Sequence, residues 1–192
     1  MAGSVIEIVN LALTYLGEPA IVSLSGNQKA QALSAYYNQS RDEVLAYHPW
    51  ACALTRKKLT QLEIDNLTEF PYAYGYPADC LRIMEVTPTK VTSRGIDTER
   101  HMIEGNIIYS DFPGAVIRYL RREENPASYP PYLVEAIATN LARKISASLI
   151  QSADVTARMT QLYFTQLAQA MQLDSLQQVS TPAPPEQWDE VF

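Results

Sequence analysis

Residues 41–53 have the sequence RDEVLAYHPWACA, and this stretch decides how the first half of the chain folds. A charged, helix-like run leads into Pro49, which disfavours helical backbone geometry at the residue before it. We therefore expect the helix that contains this run to stop at His48. The imidazole of His48 and the thiol of Cys52 are close in sequence, and such groups can form a nucleophile and its base. Because the helix stops between them, we interpret His48 as a helix-end residue and Cys52 as a core residue.

Outward from this corner, apolar residues at three- and four-residue spacing predict four helices, over residues 4–16, 28–47, 131–150 and 153–175. Ser4 is placed to cap the first helix and Gly17 to end it. Pro131 suits the first turn of the third helix. The apolar face of that helix repeats every fourth residue, at Leu133, Ile137, Leu141, Ile145 and Leu149.

The segment between the second and third helices has a pattern typical of a small antiparallel sheet. DCLRIMEV at 79–86 and AVIRYLR at 115–121 predict strands, and Gly105-Asn106 predicts a hairpin turn. We therefore predict an α+β fold, mainly α: a bundle of about four helices with a small antiparallel β insertion and an extended C-terminal tail. The predicted units are the bundle at 1–78 and 126–176, the insertion at 79–125 and the tail at 177–192.

Composition narrows the class of protein. The chain has 192 residues and a formal net charge of −6, which disfavours a nucleic-acid reader because phosphate binding needs clustered Lys and Arg. Its two cysteines give no disulfide framework. The N-terminal MAGSVIEIVN lacks a basic region before an apolar run, so we expect no signal peptide. Since no apolar stretch approaches the roughly 18 residues of a membrane span, we expect folding in a cytoplasm and no membrane contact.

No residue pattern predicts a catalytic, cofactor-binding or metal-binding site. The two His and two Cys are widely separated and include no C-x-x-C or H-x-x-x-H. The neighbours Asp42-Glu43 and Glu123-Glu124 point in different directions on a helix or strand, so neither pair predicts an acid/base dyad. None of the seven glycines lies in a phosphate-loop pattern. We therefore expect no catalytic residues, no cofactor and no metal.

Aromatic and basic side chains indicate contacts with other proteins. FPYAYGYP at 70–77 is rich in tyrosine, which is enriched at protein interfaces. The cluster Arg56-Lys57-Lys58 and the arginines near 120 could touch DNA phosphates, but in an acidic chain we favour protein contacts. The aromatics of the proline-rich tail lack local partners, so we expect them to order on a neighbouring subunit or partner, with packing on their own bundle as the alternative. The candidate contact residues are Tyr72, Tyr74, Tyr76, Arg118, Arg121, Arg122, Trp188 and Phe192.

Four stretches, which span much of the chain, are LGEPAIVSL at 16–24, RDEVLAYHPWACALTRKKL at 41–59, YAYGYPADCLRI at 72–83 and IRYLRREENPASYPPYLVEAIATNLARKIS at 117–146. In their order and spacing, these stretches resemble the tail tubular protein A family, the head-to-tail adaptors of short-tailed phages. The family pattern usually has a bulky aromatic near position 52, where this chain has Cys52. That departure concerns local packing.

The resemblance implies a structural virion protein without catalytic residues. Members of the family form a dodecameric ring between the portal protein and the tail nozzle protein, and genomic DNA passes through the ring without specific binding. The resemblance therefore places the chain in the virion tail after assembly in the host cytoplasm. Two other functions stay open at this point: a small hydrolase that uses Cys52 or a carboxylate, and a DNA-packaging accessory protein.

Overall fold

The computed structural model describes residues 3–25, 28–63, 68–89 and 100–177. Helix makes up about 48% of the described residues and strand about 22%, so the predicted α+β class is confirmed. In chain order the elements are α1 Val5–Tyr15, α2 Gln28–Tyr47, β1 Leu54–Lys58, β2 Tyr72–Gly75, β3 Cys80–Pro88, β4 His101–Glu104, β5 Ile107–Ser110, β6 Ala115–Arg121, a 3-10 turn Pro126–Ser128, α3 Pro131–Leu149 and α4 Ala153–Gln177. Within the described ranges, no helix is both long enough and apolar enough to cross a bilayer.

The ends of the first two helices follow local signals in the sequence. The Ser4 hydroxyl accepts a hydrogen bond from the Glu7 backbone N–H at 3.3 Å, which caps α1. After α1, Gly17 has a φ of 72°, a conformation that glycine adopts without steric cost. α2 ends at Tyr47, immediately before His48-Pro49. The predicted helix ends at these two places are confirmed.

α3 is the central helix, and α1, α2 and α4 each pack against it. Its predicted apolar face is buried at Leu133, Ile137, Leu141 and Ile145, whereas the side chain of Leu149 lies outside the described part of the structure. In the described residues there are four helices, as predicted, but they do not form a clear four-helix bundle. The physical reason is that strand residues also enclose the helical core: Leu120 of β6 is buried in it, and Leu54 of β1 and Leu81 of β3 pack against it.

Six strands in the described ranges form two three-stranded antiparallel sheets. Sheet A has the order β1-β6-β3, and sheet B has the order β2-β5-β4. The predicted hairpin at Gly105 joins β4 to β5, and Gly105 has a φ of 58°. β1 belongs to sheet A and β2 to sheet B, although both precede residue 79 and were not predicted as strands. β1 has the sequence LTRKK, whose consecutive exposed cations hide the alternation typical of a strand.

Sheet A lies between sheet B and the helices. On β6, Ile117 and Tyr119 belong to a second core with Tyr74 and Ile108 of sheet B. Leu120, on the opposite face of β6, belongs to the large helical core instead. The side chains of sheet A therefore serve two cores, which joins the β layers to the helical part.

Candidate functional site

The corner that follows α2 is built around Trp50, which is fully buried in the helical core. Its indole Nε1–H donates to the Val44 carbonyl at 2.7 Å. The ring meets the His48 imidazole edge-on at 4.8 Å and stacks on the Tyr132 ring at 6.3 Å. These contacts fasten the end of α2 to the first turn of α3, so the corner is a packing joint.

Asp174 of α4 is fully buried against this corner. Its Oδ1 accepts from the Tyr132 hydroxyl at 3.0 Å, and the Ala51 backbone N–H lies 3.3 Å from both carboxylate oxygens. Its Oδ2 lies 3.3 Å from Nε2 of His48, at ion-pair distance but without hydrogen-bond alignment. A buried carboxylate is tolerated only with such polar partners. Asp174 therefore ties the last turns of α4 to the corner.

Asp174 was not predicted as a buried residue, although the apolar periodicity of α4 indicates it. The buried residues of this helix follow one another at three- and four-residue steps: Met159, Tyr163, Leu167, Ala170 and Asp174. A carboxylate in the last position of an apolar stripe predicts a buried polar contact. The partners Ala51 and Tyr132 could not be named, because they are distant in sequence.

The environment of Cys52 does not favour a nucleophilic thiol. Burial, together with the smaller effect of the negative charge of Asp174, raises the pKa of Cys52 to about 11. A reactive cysteine needs the opposite shift, since the thiolate is the nucleophile. The geometry thus supports the interpretation of His48 and Cys52 as residues of a helix end and a core.

Two observations on the described residues concern metal and small-molecule binding. No cluster of three or more His, Cys, Asp or Glu side chains in the described ranges could hold a metal ion. A cavity of about 790 Å³ opens where α3 meets α4, lined by Ala147, Gln151, Ser152, Ala153, Thr156, Ala157, Thr160 and Gln161. None of these lining side chains is a carboxyl or imidazole group, so they supply no general acid or base.

The three predicted contact tyrosines differ in exposure. Tyr74 is fully buried, and its hydroxyl donates to the Phe112 carbonyl at 3.0 Å and accepts from the Gly114 N–H at 2.8 Å. Tyr72 and Tyr76 are half-buried beside the same core. Tyr74 is therefore an internal residue of the subunit, in contrast to its predicted place at a contact surface, because its ring and hydroxyl are both used inside the fold.

The predicted contact arginines near residue 120 also differ from one another, in whether they have carboxylate partners. Arg121 pairs with Glu123, and Nε of Arg122 donates to Asp42 at 2.8 Å. Asp42 also pairs with Arg41 at 2.8 Å, so one carboxylate of α2 holds two guanidinium groups. These ion pairs are internal to the subunit. Arg118 has no such carboxylate within ion-pair distance among the described residues.

Arg118 instead lies beside the basic cluster Arg56-Lys57-Lys58, which ends β1. In the strand register Arg56 is opposite Arg118 and Lys58 is opposite Val116, so Arg56, Lys58 and Arg118 share one face of sheet A. We call these three residues the basic face. A depression of about 370 Å³ at this face is lined by Leu54, Thr55, Arg56 and Arg118. The sequence analysis treated the two clusters separately, because only the pairing of β1 with β6 brings them together.

Trp188 and Phe192, the remaining candidate contact residues, lie outside the described residues. No protein-family model matches the chain, and no curated protein matches it significantly. The resemblance to the tail tubular protein A family thus stays a prediction.

Proposed function

We propose that this chain is a subunit of a head-to-tail adaptor ring that joins the portal of a short-tailed phage to its tail nozzle. The proposal is carried by one observation: three of the four stretches that resemble the adaptor family, the second, third and fourth, contact one another at the joints of the fold. Trp50 of the second stretch stacks on Tyr132 of the fourth. Arg122 of the fourth stretch donates to Asp42 of the second.

The other two stretches lie at further joints. In the third stretch, Asp79 accepts from the Tyr119 hydroxyl of the fourth at 3.3 and 3.2 Å. In the first stretch, the Ile21 backbone exchanges hydrogen bonds of 2.8 and 3.0 Å with the Asn10 side chain of α1. Residues at joints set the angles between elements and hence the shape of the subunit. A closed ring depends on that shape, because each copy must meet the next at one fixed angle.

Exposed apolar side chains supply places for subunit contacts. Val22 is 96% exposed, Leu176 is 77% exposed and Phe164 is 55% exposed. Phenylalanine is enriched at the centre of protein interfaces, and burial of Val22 and Leu176 at a contact would remove apolar surface from water. The net charge of −6 suits a conduit, because each phosphate that a channel wall neutralises adds affinity that would slow DNA.

A structural role is also supported by the chemistry of the corner. Its one thiol has a pKa raised to about 11, and its carboxylate is fully buried with partners from the chain itself. Ring assembly should therefore survive Cys52→Ser. A hydrolytic activity of the purified chain that Cys52→Ser abolished would contradict the proposal and favour the hydrolase.

The assembly itself can be tested with surface variants. We expect the full chain, mixed with the portal protein of its own virion, to elute in size-exclusion chromatography as a complex with many copies of the chain. Phe164→Asp and Val22→Asp should weaken this assembly, because a charge would be buried at an interface. Gln169→Asp is the matched control, since Gln169 is an exposed polar residue of α4. If the unmodified chain elutes as a monomer even in the presence of the portal protein, the proposal is wrong.

A further inference from the structure

The basic face groups three cations that have no carboxylate partner in the described part of the chain. Six other cations in the described residues have such partners: Arg41, Arg100, Arg121, Arg122, Arg143 and Lys144. Arg82 and Arg158 have no carboxylate partner there either, but each is the single cation of its element, β3 or α4. Arg56, Lys58 and Arg118 have none within that part of the structure, although Glu85 is opposite Arg118 in the β3 register. The three cations of this face outnumber Glu85, which lies opposite Arg118, so the face keeps a positive charge that attracts a negatively charged segment.

The C-terminal segment of the same chain has the complementary charge. Residues 178–192 have the sequence QVSTPAPPEQWDEVF, with Glu186, Asp189 and Glu190 and no Lys or Arg. Trp188 lies between these acids. Guanidinium groups bind carboxylates through paired hydrogen bonds and also stack on indole rings. The acidic and aromatic side chains of this segment therefore match what the basic face can bind.

α4 ends close to the start of sheet A. Oε1 of Gln177, the last described residue of α4, lies 3.2 Å from the Tyr132 hydroxyl. One turn earlier, Asp174 contacts the Ala51 N–H, and β1 begins at Leu54, three residues after Ala51. The 15 residues of 178–192 can span at most about 50 Å when fully extended. From Ala51 to Arg56 the chain can extend only about 18 Å, so the segment is long enough to reach the basic face.

We propose that the basic face is the docking site for the acidic segment 186–192 of the same chain. The carboxylates pair with Arg56, Lys58 and Arg118, and the Trp188 indole lies in the depression beside Leu54. Tethering raises the effective concentration of the segment to the millimolar range, so a modest intrinsic affinity is sufficient. This inference goes beyond the adaptor ring and does not depend on it.

The fluorescence of Trp188 tests the docking in the full chain. Trp50 is fully buried and contributes a constant fluorescence background. The Trp188→Phe variant reports the fluorescence of Trp50 alone, which can then be subtracted from that of the unmodified chain. We expect Trp188 to be protected from the neutral quencher acrylamide. The triple variant Arg56→Glu, Lys58→Glu, Arg118→Glu should lose this protection, and quenching should rise to that of a synthetic peptide 178–192. Ionic strength of about 1 M, where the Debye length falls to about 3 Å, should have the same effect on the unmodified chain.

Two further variants keep the test decisive. Arg158→Glu makes the same type of charge change at an exposed residue early in α4 and should leave the protection intact. Reversal of Glu186, Asp189 and Glu190 to Lys should remove the protection, and its combination with the triple variant should restore it. Such rescue excludes a general loss of folding as the cause.

Several results would overturn the docking. Protection that survives both charge reversals would show that charge complementarity is not involved. Protection that grows with protein concentration would assign the segment to the basic face of another copy. An unprotected Trp188 together with a DNA duplex bound through the basic face would assign that face to nucleic acid. None of these measurements depends on ring formation with the portal. The docking proposal and the adaptor-ring proposal can therefore be contradicted independently.

Discussion

Nε2 of His48 lies 3.3 Å from Oδ2 of Asp174, so the residue that follows α2 meets the last turns of α4 inside the core. Beside this pair, the Trp50 ring packs edge-on against His48 and stacks on Tyr132. The His48-Pro49-Trp50 corner thus joins three helices through one buried carboxylate. Its function in the account is to fix the helices relative to the start of sheet A.

Removal of this carboxylate should destabilise the fold. Asp174→Ala leaves the Tyr132 hydroxyl and the Ala51 N–H without their acceptor, and it should lower the free energy of unfolding by about 3 kcal/mol. Urea unfolding followed by circular dichroism measures the change. Asp154→Ala, at an exposed carboxylate in the first turn of α4, should cost less than about 1 kcal/mol. Equal losses in the two variants would show that Asp174 does not act as the joint.

The buried hydroxyl of Tyr74 gives a second prediction. Tyr74→Phe removes the donor to Phe112 and the acceptor for Gly114, and it should cost about 1–3 kcal/mol of stability. Tyr72→Phe, on the same strand, is the control, because the half-buried Tyr72 has no side-chain hydrogen bond within the described structure. Thermal unfolding of both variants checks this. A Tyr74→Phe variant as stable as the unmodified chain would restore Tyr74 as a candidate contact residue.

The turn before β6 requires glycine for two separate reasons. Gly114 has a φ of 73°, and a Cβ added there would lie 2.9 Å from Oγ1 of Thr89. Gly105 has a φ of 58° but nothing within 4 Å of an added Cβ. Alanine at either position should cost about 1–2 kcal/mol from the left-handed backbone. We expect chemical denaturation to show an additional loss only for Gly114→Ala, and equal losses would mean that Thr89 simply moves away.

The reactivity of Cys52 should report its raised pKa. In a Cys80→Ser background, Cys52 is the only thiol of the chain. Because its pKa is raised from 9.0 to about 11, alkylation by iodoacetamide at pH 8 should be about a hundredfold slower than in the urea-unfolded chain. Since the pKa is higher in the folded state, the contribution of this thiol to stability is present below pH 9 and is lost as the pH rises towards 11. A labelling rate that levels off near neutral pH would indicate an activated thiol and contradict the structural interpretation.

The helical part of the fold could be predicted because its signals are local. The cap at Ser4, the glycine at 17 and the proline at 49 each act within a few residues, and the helix ends are found where these residues predict them. The periodicity of α3 likewise identified the buried face of the central helix. Local backbone preferences and burial agree there, so a single sequence is sufficient.

The arrangement of the sheets and the candidate site could not be predicted, because it depends on pairing between distant residues. β1 and β6 are separated by more than 50 residues, and their register alone brings Arg56 beside Arg118. Tyr72 and Tyr74 are two residues apart on β2, yet only the Tyr74 hydroxyl forms hydrogen bonds with the backbone of Phe112 and Gly114. Asp174 shows the same limit, since its buried partners come from other parts of the chain.

The central claim is that copies of this chain close into a ring on the portal. Negative-stain electron microscopy of the purified full chain, alone and mixed with the portal protein of its own virion, tests this claim most directly. The account predicts rings with an open channel, twelvefold on the portal as the family resemblance implies. Single particles of monomer size in both samples, with the portal unoccupied, would contradict it.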